Sequence, residues 1–168
     1  MIILVTGDYG VGKDTFADIL VEEINKKEID SAQKILSYTS RPPRDKEDFS
    51  THIFAATSLD YLQNSPLILA WTEINGYYYW TQITQFTKKY NIYVIDKESI
   101  SQVLNKTIDK VMILEIKRNS GLITVSKKRM NREKKYAKEP LNSFVIQNNG
   151  TIQDLRKQSQ IFIETFFE

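Results

Sequence analysis

Short apolar runs along the chain alternate with segments whose apolar residues follow a helical period. Strands are predicted for the runs at 2–6, 34–38, 92–96, 111–116 and 143–147. Helices are predicted for the periodic segments at about 13–27, 97–105, 123–137 and 151–167. This alternation predicts an α/β fold, with a parallel sheet flanked by helices on both faces.

The segment from 38 to 90 has a different pattern. It contains a polar loop with two prolines, short β-like runs at 51–55 and 66–72, and the aromatic run 77–80. We expect locally connected antiparallel strands here, with a short helix capped by Ser58. The prediction is a single domain, 1–168, with a core of about 1–37 and 91–168 and an inserted subdomain of about 38–90.

The composition excludes several kinds of site. The 168 residues include no cysteine, which excludes a disulfide framework. They include one histidine, which argues strongly against a histidine-built metal site or a Ser-His-Asp triad. No apolar run has the length of a membrane span, and the N-terminus enters a strand without a basic signal segment. We therefore expect a cytoplasmic protein without a membrane partner.

Basic residues are concentrated in one part of the chain. Residues 117–138 hold nine Lys and Arg against one Glu, a local charge of +8, whereas the rest of the chain carries −6. This distribution predicts an anionic ligand bound at one place, and a solvated lysine-rich helix face is the alternative for the lysines. Nucleic acid is a possible partner of such a segment, but the interleaved aromatic residues that would support it are lacking, and we expect no nucleic-acid partner.

A glycine-rich segment lies between the first predicted strand and the first predicted helix. In that context backbone N–H groups and a helix N-terminus bind phosphate, and Lys13 reaches the β- and γ-phosphates of a nucleotide. A glycine turn that merely caps the helix is the alternative. The residues predicted to bind ATP are Gly7, Asp8, Tyr9, Gly10, Val11, Gly12, Lys13, Asp14 and Thr15.

The residue after Lys13 departs from the usual phosphate-loop pattern. Ser or Thr ordinarily holds Mg²⁺ at this place, but here it is Asp14, followed by Thr15. We expect Mg²⁺ to be held by Asp14 or Thr15, directly or through water, with help from Asp96 at the end of a predicted strand. Asp96 could instead cap the helix that follows.

Arg41 and Arg44 stand three residues apart with Pro42-Pro43 between them. Two guanidinium groups on so rigid a segment can bind one anion, since each pairs bidentately with phosphate oxygens. Two surface arginines beside a turn are the alternative.

The order of these motifs resembles guanylate kinase and its relatives. The resemblance covers most of the chain: the phosphate loop, the segments 37–44 and 71–81, and the closing strand 145–149. It implies a P-loop kinase fold with an inserted acceptor-binding subdomain and a lid of about 117–132. By this resemblance Arg41, Arg44 and Tyr79 would hold the acceptor's phosphate, Ser37 and Thr81 would contact its base, and Arg129, Arg118 and Arg132 would stabilise the transferring phosphoryl group.

The implied reaction is transfer of a phosphoryl group from ATP to a nucleoside monophosphate. The acceptor is already an anionic phosphate, so no general base is required, in agreement with a chain that has one histidine. Positioning of the two phosphates and neutralisation of charge would supply the catalysis.

Four positions depart from the family pattern. Ala70 replaces the glutamate that reads guanine, and Glu73 is out of register with it by three residues. His52 replaces a phosphate-binding tyrosine, which makes it a candidate acceptor-site residue, and Trp80 replaces a glycine. The strand ending near 116 runs almost directly into the lid, which predicts a shorter lid.

These departures leave more than one identity possible for the acceptor molecule. Gly-Lys-Asp in the loop and His52-Ile53 also resemble ribose 1,5-bisphosphate phosphokinase, a phosphosugar kinase, although Arg44 would not be expected there. Gly-Lys-Asp-Thr occurs in phage deoxynucleoside monophosphate kinases as well. A guanylate-kinase-like binding module without activity is a third alternative. The oligomeric state is not predicted.

Overall fold

The computed structural model describes residues 1–44, 47–119 and 143–167. The described residues form two compact units. Unit 1 comprises Met1–Lys34, Lys88–Glu98 and Lys110–Glu168, and unit 2 comprises Ile35–Thr87 and Ser99–Asp109. The expected insertion, 38–90, corresponds to the first segment of unit 2, and residues 99–109 join it.

Unit 1 contains a five-stranded sheet. Its strands are β1 (Ile2–Gly7), β2 (Ala32–Ile35), β7 (Tyr90–Val94), β8 (Val111–Lys117) and β9 (Ser143–Gln147). The spatial order is β2-β7-β1-β8-β9, and β1 pairs in parallel with both β7 and β8, as β8 does with β9. A parallel sheet flanked by helices is confirmed, whereas helices on both of its faces stay a prediction.

Two helices cover one face of this sheet. They are α1 (Lys13–Lys27) and α4 (Ile152–Phe166), and among the described residues of unit 1 both pack against the same face. Alternate strand residues point to them because successive side chains of a strand face opposite sides. The buried core formed in this way includes Ile3, Val5, Phe16, Leu20, Ile92, Leu114, Ile146 and Phe162.

An ion-pair cluster joins the two helices. Arg156 of α4 donates to Glu22 at 2.9 Å and to Glu23 at 2.5 Å, both on α1. A hydrogen bond from Lys26, with others from Gln160 and Arg156, lowers the pKa of Glu23 to about 2. Burial of the carboxylate would raise this pKa, but the hydrogen bonds outweigh that effect. The helices are therefore held together by apolar packing and by a cluster that requires ionised carboxylates.

Two helices begin with side-chain caps, at Ser58 as predicted and at Thr151. Thr151 accepts from the backbone N–H of Asp154, and Asp154 accepts in return from the backbone of Thr151, which makes a capping box at the start of α4. Ser58 accepts from the backbone N–H of Tyr61 at the start of α2 (Leu59–Asn64). No helix within 1–44, 47–119 and 143–167 is long and apolar enough to cross a membrane.

Unit 2 contains a four-stranded sheet. Its strands are β3 (Ser37–Thr39), β4 (His52–Phe54), β5 (Ile68–Ile74) and β6 (Tyr77–Gln82), in the order β4-β3-β6-β5. β5 and β6 form an antiparallel hairpin whose turn residues Asn75 and Gly76 have φ of 52° and 78°, as an Asn-Gly hairpin turn requires. The expectation of antiparallel strands is correct for β5–β6 and β3–β6 but wrong for β3–β4, which is parallel.

The strand predicted at 34–38 is two strands. β2 ends at Ile35 and joins the larger sheet, and β3 begins at Ser37 and joins the smaller one. The local pattern of this short segment cannot reveal the break, because the choice of sheet depends on partners that are distant in sequence.

The aromatic run divides between the two faces of β6. Trp80 stacks on Tyr38 with ring centroids 5.4 Å apart, and it is buried with Leu62 of α2 and Ile68 of β5. A second helix in this unit, α3 (Ile100–Lys106), packs against β5, where Gln102 accepts from the backbone N–H of Trp71. Trp80 is therefore a core residue of unit 2.

Candidate functional site

The phosphate loop lies between the end of β1 and the start of α1. α1 begins at Lys13, as predicted, and β1 ends at Gly7, one residue beyond the predicted strand. Gly7, Gly10 and Gly12 have φ angles of 140°, 78° and 93°. Side chains strongly disfavour these angles, so the three glycines are what allow the loop its path.

Two of the glycines also lie against neighbouring strand ends. A Cβ on Gly7 would overlap the carbonyl oxygen of Ile116, and a Cβ on Gly12 would lie 2.5 Å from Nδ2 of Asn148. Ile116 belongs to β8, and Asn148 directly follows β9. The loop therefore packs on these two strand ends without room for added side chains.

The N-terminus of α1 is open to an anion. Its N-cap, Gly12, makes no side-chain capping bond, so it leaves the first-turn N–H groups uncapped. Residues 8–10 are exposed, and Nζ of Lys13 donates to the carbonyl oxygens of Gly7 at 2.7 Å and Asp8 at 2.8 Å. These residues fit a nucleoside triphosphate, since a helix N-terminus, a glycine loop and one lysine lie together.

The residues expected to hold Mg²⁺ offer few ligands of their own. Asp14 and Thr15 are exposed in the first turn of α1, and Asp96 is half-buried after β7. The Asp14 carboxylate lies 3.1 Å from Nζ of Lys34. The described part of the chain has no group of three His, Cys, Asp or Glu side chains that could hold a metal. The set fits Mg²⁺ that keeps phosphate oxygens and water as most of its ligands.

A buried charge cluster beside the loop was not predicted. Glu115 of β8 has a side chain only 4% exposed, and Lys97 lies 2.5 Å and Lys117 3.4 Å from its carboxylate oxygens. In the register of the sheet Glu115 is opposite Thr6, the residue before Gly7. A lone acid inside the apolar run 111–116 is the only sign of this cluster in the sequence.

The predicted acceptor residues that lie in the strands of unit 2 share one face of its sheet. His52 is opposite Ser37, Thr39 is opposite Tyr79, and Thr81 is opposite Ala70. Directly opposed residues of neighbouring strands lie on the same face, as do alternate residues of one strand. We call this side the His52 face; it carries Ser37, Thr39, His52, Phe54, Ala70, Thr72, Tyr79 and Thr81.

Aromatic rings line one part of the His52 face. The rings of His52 and Tyr79 are 5.7 Å apart at centroid, edge to face, and both side chains are half-buried. The guanidinium carbon of Arg41 lies 5.4 Å from the centroid of Phe54, a cation–π contact, and Arg41 also donates to the carbonyl of Pro42. Phe54 was not predicted, because an isolated Phe in a short strand has no distinguishing pattern.

The two predicted arginines differ in exposure. Arg41 is 6% exposed, whereas Arg44 is exposed. An arginine held over an aromatic ring keeps its fork in a fixed orientation. If both bind one anion, Arg41 is the preformed partner of the pair.

The base-reading positions are more buried than expected. Ala70 and Thr81 are both 0% exposed, and the Thr81 hydroxyl has no hydrogen-bond partner among the described residues. A direct contact between Thr81 and a ligand would require unit 2 to rearrange. Glu73, three residues from Ala70, lies on the opposite face of β5, since an odd offset changes face. Glu73 therefore does not replace the missing glutamate.

Of the three predicted lid arginines, only Arg118 is among the described residues. It directly follows β8 and is half-buried, with its Nε atom shielded from solvent. Arg129 and Arg132, and most of the predicted lid 117–132, lie outside the described residues, as does the helix predicted at 123–137.

No protein-family model and no curated protein sequence matches the chain. Among solved structures it resembles guanylate kinase from Anaplasma phagocytophilum, with 17% identity and a TM-score of 0.65 over 100% of this chain and 87% of that one. It also aligns with a gluconokinase from Sinorhizobium meliloti 1021, at 9% identity and a TM-score of 0.47 over 98% and 94% of the two chains. The chain therefore has the α/β fold of the P-loop kinases, in the form found in guanylate kinase.

Proposed function

We propose that the protein is an ATP-dependent phosphotransferase that transfers the γ-phosphoryl group of ATP to the phosphate of a small acceptor. The observation that carries this proposal is the phosphate loop. It combines three glycines at positive φ, a helix N-terminus without a side-chain cap, and Lys13 within the same turn. The likeness to guanylate kinase in fold supports the same class of reaction.

In this proposal the loop binds the donor. Lys13 leaves the carbonyl oxygens of Gly7 and Asp8 and pairs with the β- and γ-phosphates, and the first-turn amides of α1 bind phosphate oxygens. Asp14, Thr15 or Asp96 would hold Mg²⁺ together with phosphate oxygens, and the ion would supply positive charge against the phosphates. Arg118 and, outside the described residues, Arg129 and Arg132 are the candidates for stabilising the transferred group.

The proposed acceptor is a nucleoside monophosphate bound on the His52 face. Arg41, Arg44 and Tyr79 would bind its phosphate, with His52 and Ser37 beside them. The contact between the rings of His52 and Tyr79 supports a shared site for these two residues. No general base is needed, since the attacking oxygen is an ionised phosphate.

The strands of unit 2 carry no carboxylate on the His52 face. Their only acidic residue, Glu73, lies on the other side of the sheet. Guanine presents N–H donors that a carboxylate would accept, and a site without that acceptor loses much of its discrimination. This favours an acceptor other than GMP or dGMP, and makes a phosphosugar such as ribose 1,5-bisphosphate the second candidate.

A binding module without catalysis is the remaining candidate. Loss of the phosphate loop would be expected in such a module, but Gly7, Gly12 and Lys13 are all present in a strand–loop–helix arrangement. This observation makes catalysis the better proposal.

Coupled assays with ATP, Mg²⁺ and a panel of acceptors test the proposal. The panel contains GMP, dGMP, AMP, CMP, UMP, dTMP and ribose 1,5-bisphosphate. We expect turnover of at least one acceptor, and loss of about 10²-fold or more in rate for Lys13→Ala. Lys27→Ala, an exposed lysine at the other end of α1, is the matched control. Failure of every acceptor, together with no ATP binding by calorimetry, would contradict the proposal.

A further inference from the structure

Asn148 connects the strand β9 to the phosphate loop. Its side-chain Nδ2 donates to the carbonyl oxygen of Val11 at 2.6 Å, across 137 residues of sequence. Its backbone N–H donates to the carbonyl oxygen of Lys117 on β8 at 2.8 Å. The residue is only 7% exposed, so both ends of Asn148 are held within the structure.

The orientation of the Asn148 amide is determined by its partner. A carbonyl oxygen only accepts hydrogen bonds, so the NH₂ group and not the oxygen of the side chain must face Val11. Nδ2 is also the atom that would lie 2.5 Å from a Cβ on Gly12. Glycine at position 12 therefore allows Asn148 to approach the loop backbone closely.

The bond to Val11 has a consequence for the next amide. The Val11–Gly12 peptide is trans, as is every peptide bond among the described residues, and in a trans peptide the C=O of one residue and the N–H of the next point in opposite directions. With the Val11 carbonyl directed at the buried Asn148, the N–H of Gly12 is directed away from it. Gly12 is the N-cap of α1, so this N–H belongs to the donor set at the helix N-terminus.

We propose that Asn148 is a positioning residue for the phosphate loop. By holding the Val11 carbonyl it fixes the Val11–Gly12 peptide plane so that the Gly12 N–H faces the donor's phosphate chain. It acts through the loop backbone and does not touch the ligand. This inference rests on the proposed function, because it assigns the loop to a bound polyphosphate.

Calorimetry with inorganic tripolyphosphate and Mg²⁺ tests the proposal without the adenosine part of ATP. We expect Asn148→Ala to bind tripolyphosphate about 10- to 100-fold more weakly than the wild type, the range for losing one aligned donor to a charged group. Asn149→Ala is the matched control. Asn149 is the adjacent asparagine and is exposed, and its Oδ1 accepts from the backbone N–H of Asn119 and not from the loop. We expect its affinity to stay within about twofold of the wild type.

A second variant and a second measurement separate positioning from general stability. Asn148→Asp keeps the shape but places an acceptor against the Val11 carbonyl, so it should weaken binding at least as much as Asn148→Ala. In ¹⁵N-edited NMR spectra the Gly12 amide of the wild type should move downfield when tripolyphosphate binds, and this shift should be smaller in the folded Asn148 variants. Asn148→Ser serves for both measurements if the other two variants do not fold.

The outcomes distinguish the two proposals. Folded Asn148 variants that bind tripolyphosphate as tightly as the wild type, with the same Gly12 shift, would overturn the positioning role and leave the proposed function intact. A wild-type protein that binds neither tripolyphosphate nor ATP would overturn both.

Discussion

The carboxylate of Glu115 lies 2.5 Å from the ammonium group of Lys97. Glu115 is in β8, the strand that pairs with β1, and β1 leads into the phosphate loop. Burial opposes ionisation of Glu115, but Lys97 and Lys117 outweigh it and hold the pKa of Glu115 below its ordinary value. The pair is therefore an ionised one with its acid buried. Removal of Lys97 is expected to be destabilising, because it leaves the buried carboxylate with the more distant ammonium group of Lys117, 3.4 Å away.

We predict that Lys97→Met destabilises the protein by on the order of 3 kcal/mol. Glu115→Gln should be less damaging, because it removes the charge that requires compensation. Chemical denaturation of the two variants at pH 7 gives their free energies of unfolding, and Lys97→Met should have the lower one. Equal stability of Lys97→Met and the wild type would show that the ion pair does not stabilise the fold.

Acid should weaken the contact between α1 and α4. Glu23 has its pKa lowered to about 2 from an ordinary 4.5, so in the unfolded chain it binds a proton at higher pH than in the folded one. The stability that Glu23 contributes is fully present above about pH 4.5 and is lost as the pH falls toward 2. Thermal unfolding between pH 7 and 2 should show this loss.

Arg156→Met provides the control for that titration. Without the guanidinium group the pKa of Glu23 should rise toward its ordinary value, because one of its two cationic partners is absent. The variant should be less stable at pH 7 and should lose less stability on acidification. A pKa of Glu23 unchanged in Arg156→Met, measured by NMR, would contradict this account.

The glycines of the phosphate loop differ from those of a simple turn. Positive φ alone costs a side chain about 1–2 kcal/mol. Gly7→Ala should lower the stability of the protein by well over this amount, because its Cβ would also overlap the Ile116 carbonyl. Gly76→Ala is the matched control: φ is 78° and a Cβ there would meet nothing within 4 Å. Denaturant unfolding should therefore rank Gly7→Ala as clearly the less stable variant.

Two buried threonines of unit 2 should respond oppositely to replacement by valine. The Thr81 hydroxyl is buried without a hydrogen-bond partner in the described residues, so Thr81→Val should be neutral or stabilising by up to about 1 kcal/mol. The Thr39 hydroxyl accepts from the backbone N–H of Arg41 at 3.3 Å, so Thr39→Val should destabilise.

Acceptor kinetics of the same threonine variants test the role that the family resemblance gave Thr81. A contact with the acceptor base predicts a raised KM in Thr81→Val, whereas a buried structural residue predicts an unchanged KM. An increase of tenfold or so with unaltered stability would mean that unit 2 rearranges to expose Thr81 to the ligand.

Features that depend on neighbouring residues were predictable from the sequence. Helix α1 spans 13–27 as expected, because its apolar period, its glycine N-cap and the preceding strand are all local. The caps at Ser58 and Thr151 were predictable for the same reason. Glycine spacing together with Lys13 was enough to locate the loop and to indicate phosphate as its ligand.

Features that depend on distant partners were decided only by the tertiary structure. The run at 34–38 divides between two sheets, and Glu73 faces away from Ala70, because register and sheet membership are set by pairing across the fold. Asn148 reaches Val11 across 137 residues, and Lys97 neutralises a buried acid 18 residues away. Hydrogen bonds and ion pairs act over a few ångströms of space whatever the separation along the chain. The sequence by itself therefore determined the elements and the position of the glycine loop, and folding decided which side chains support them.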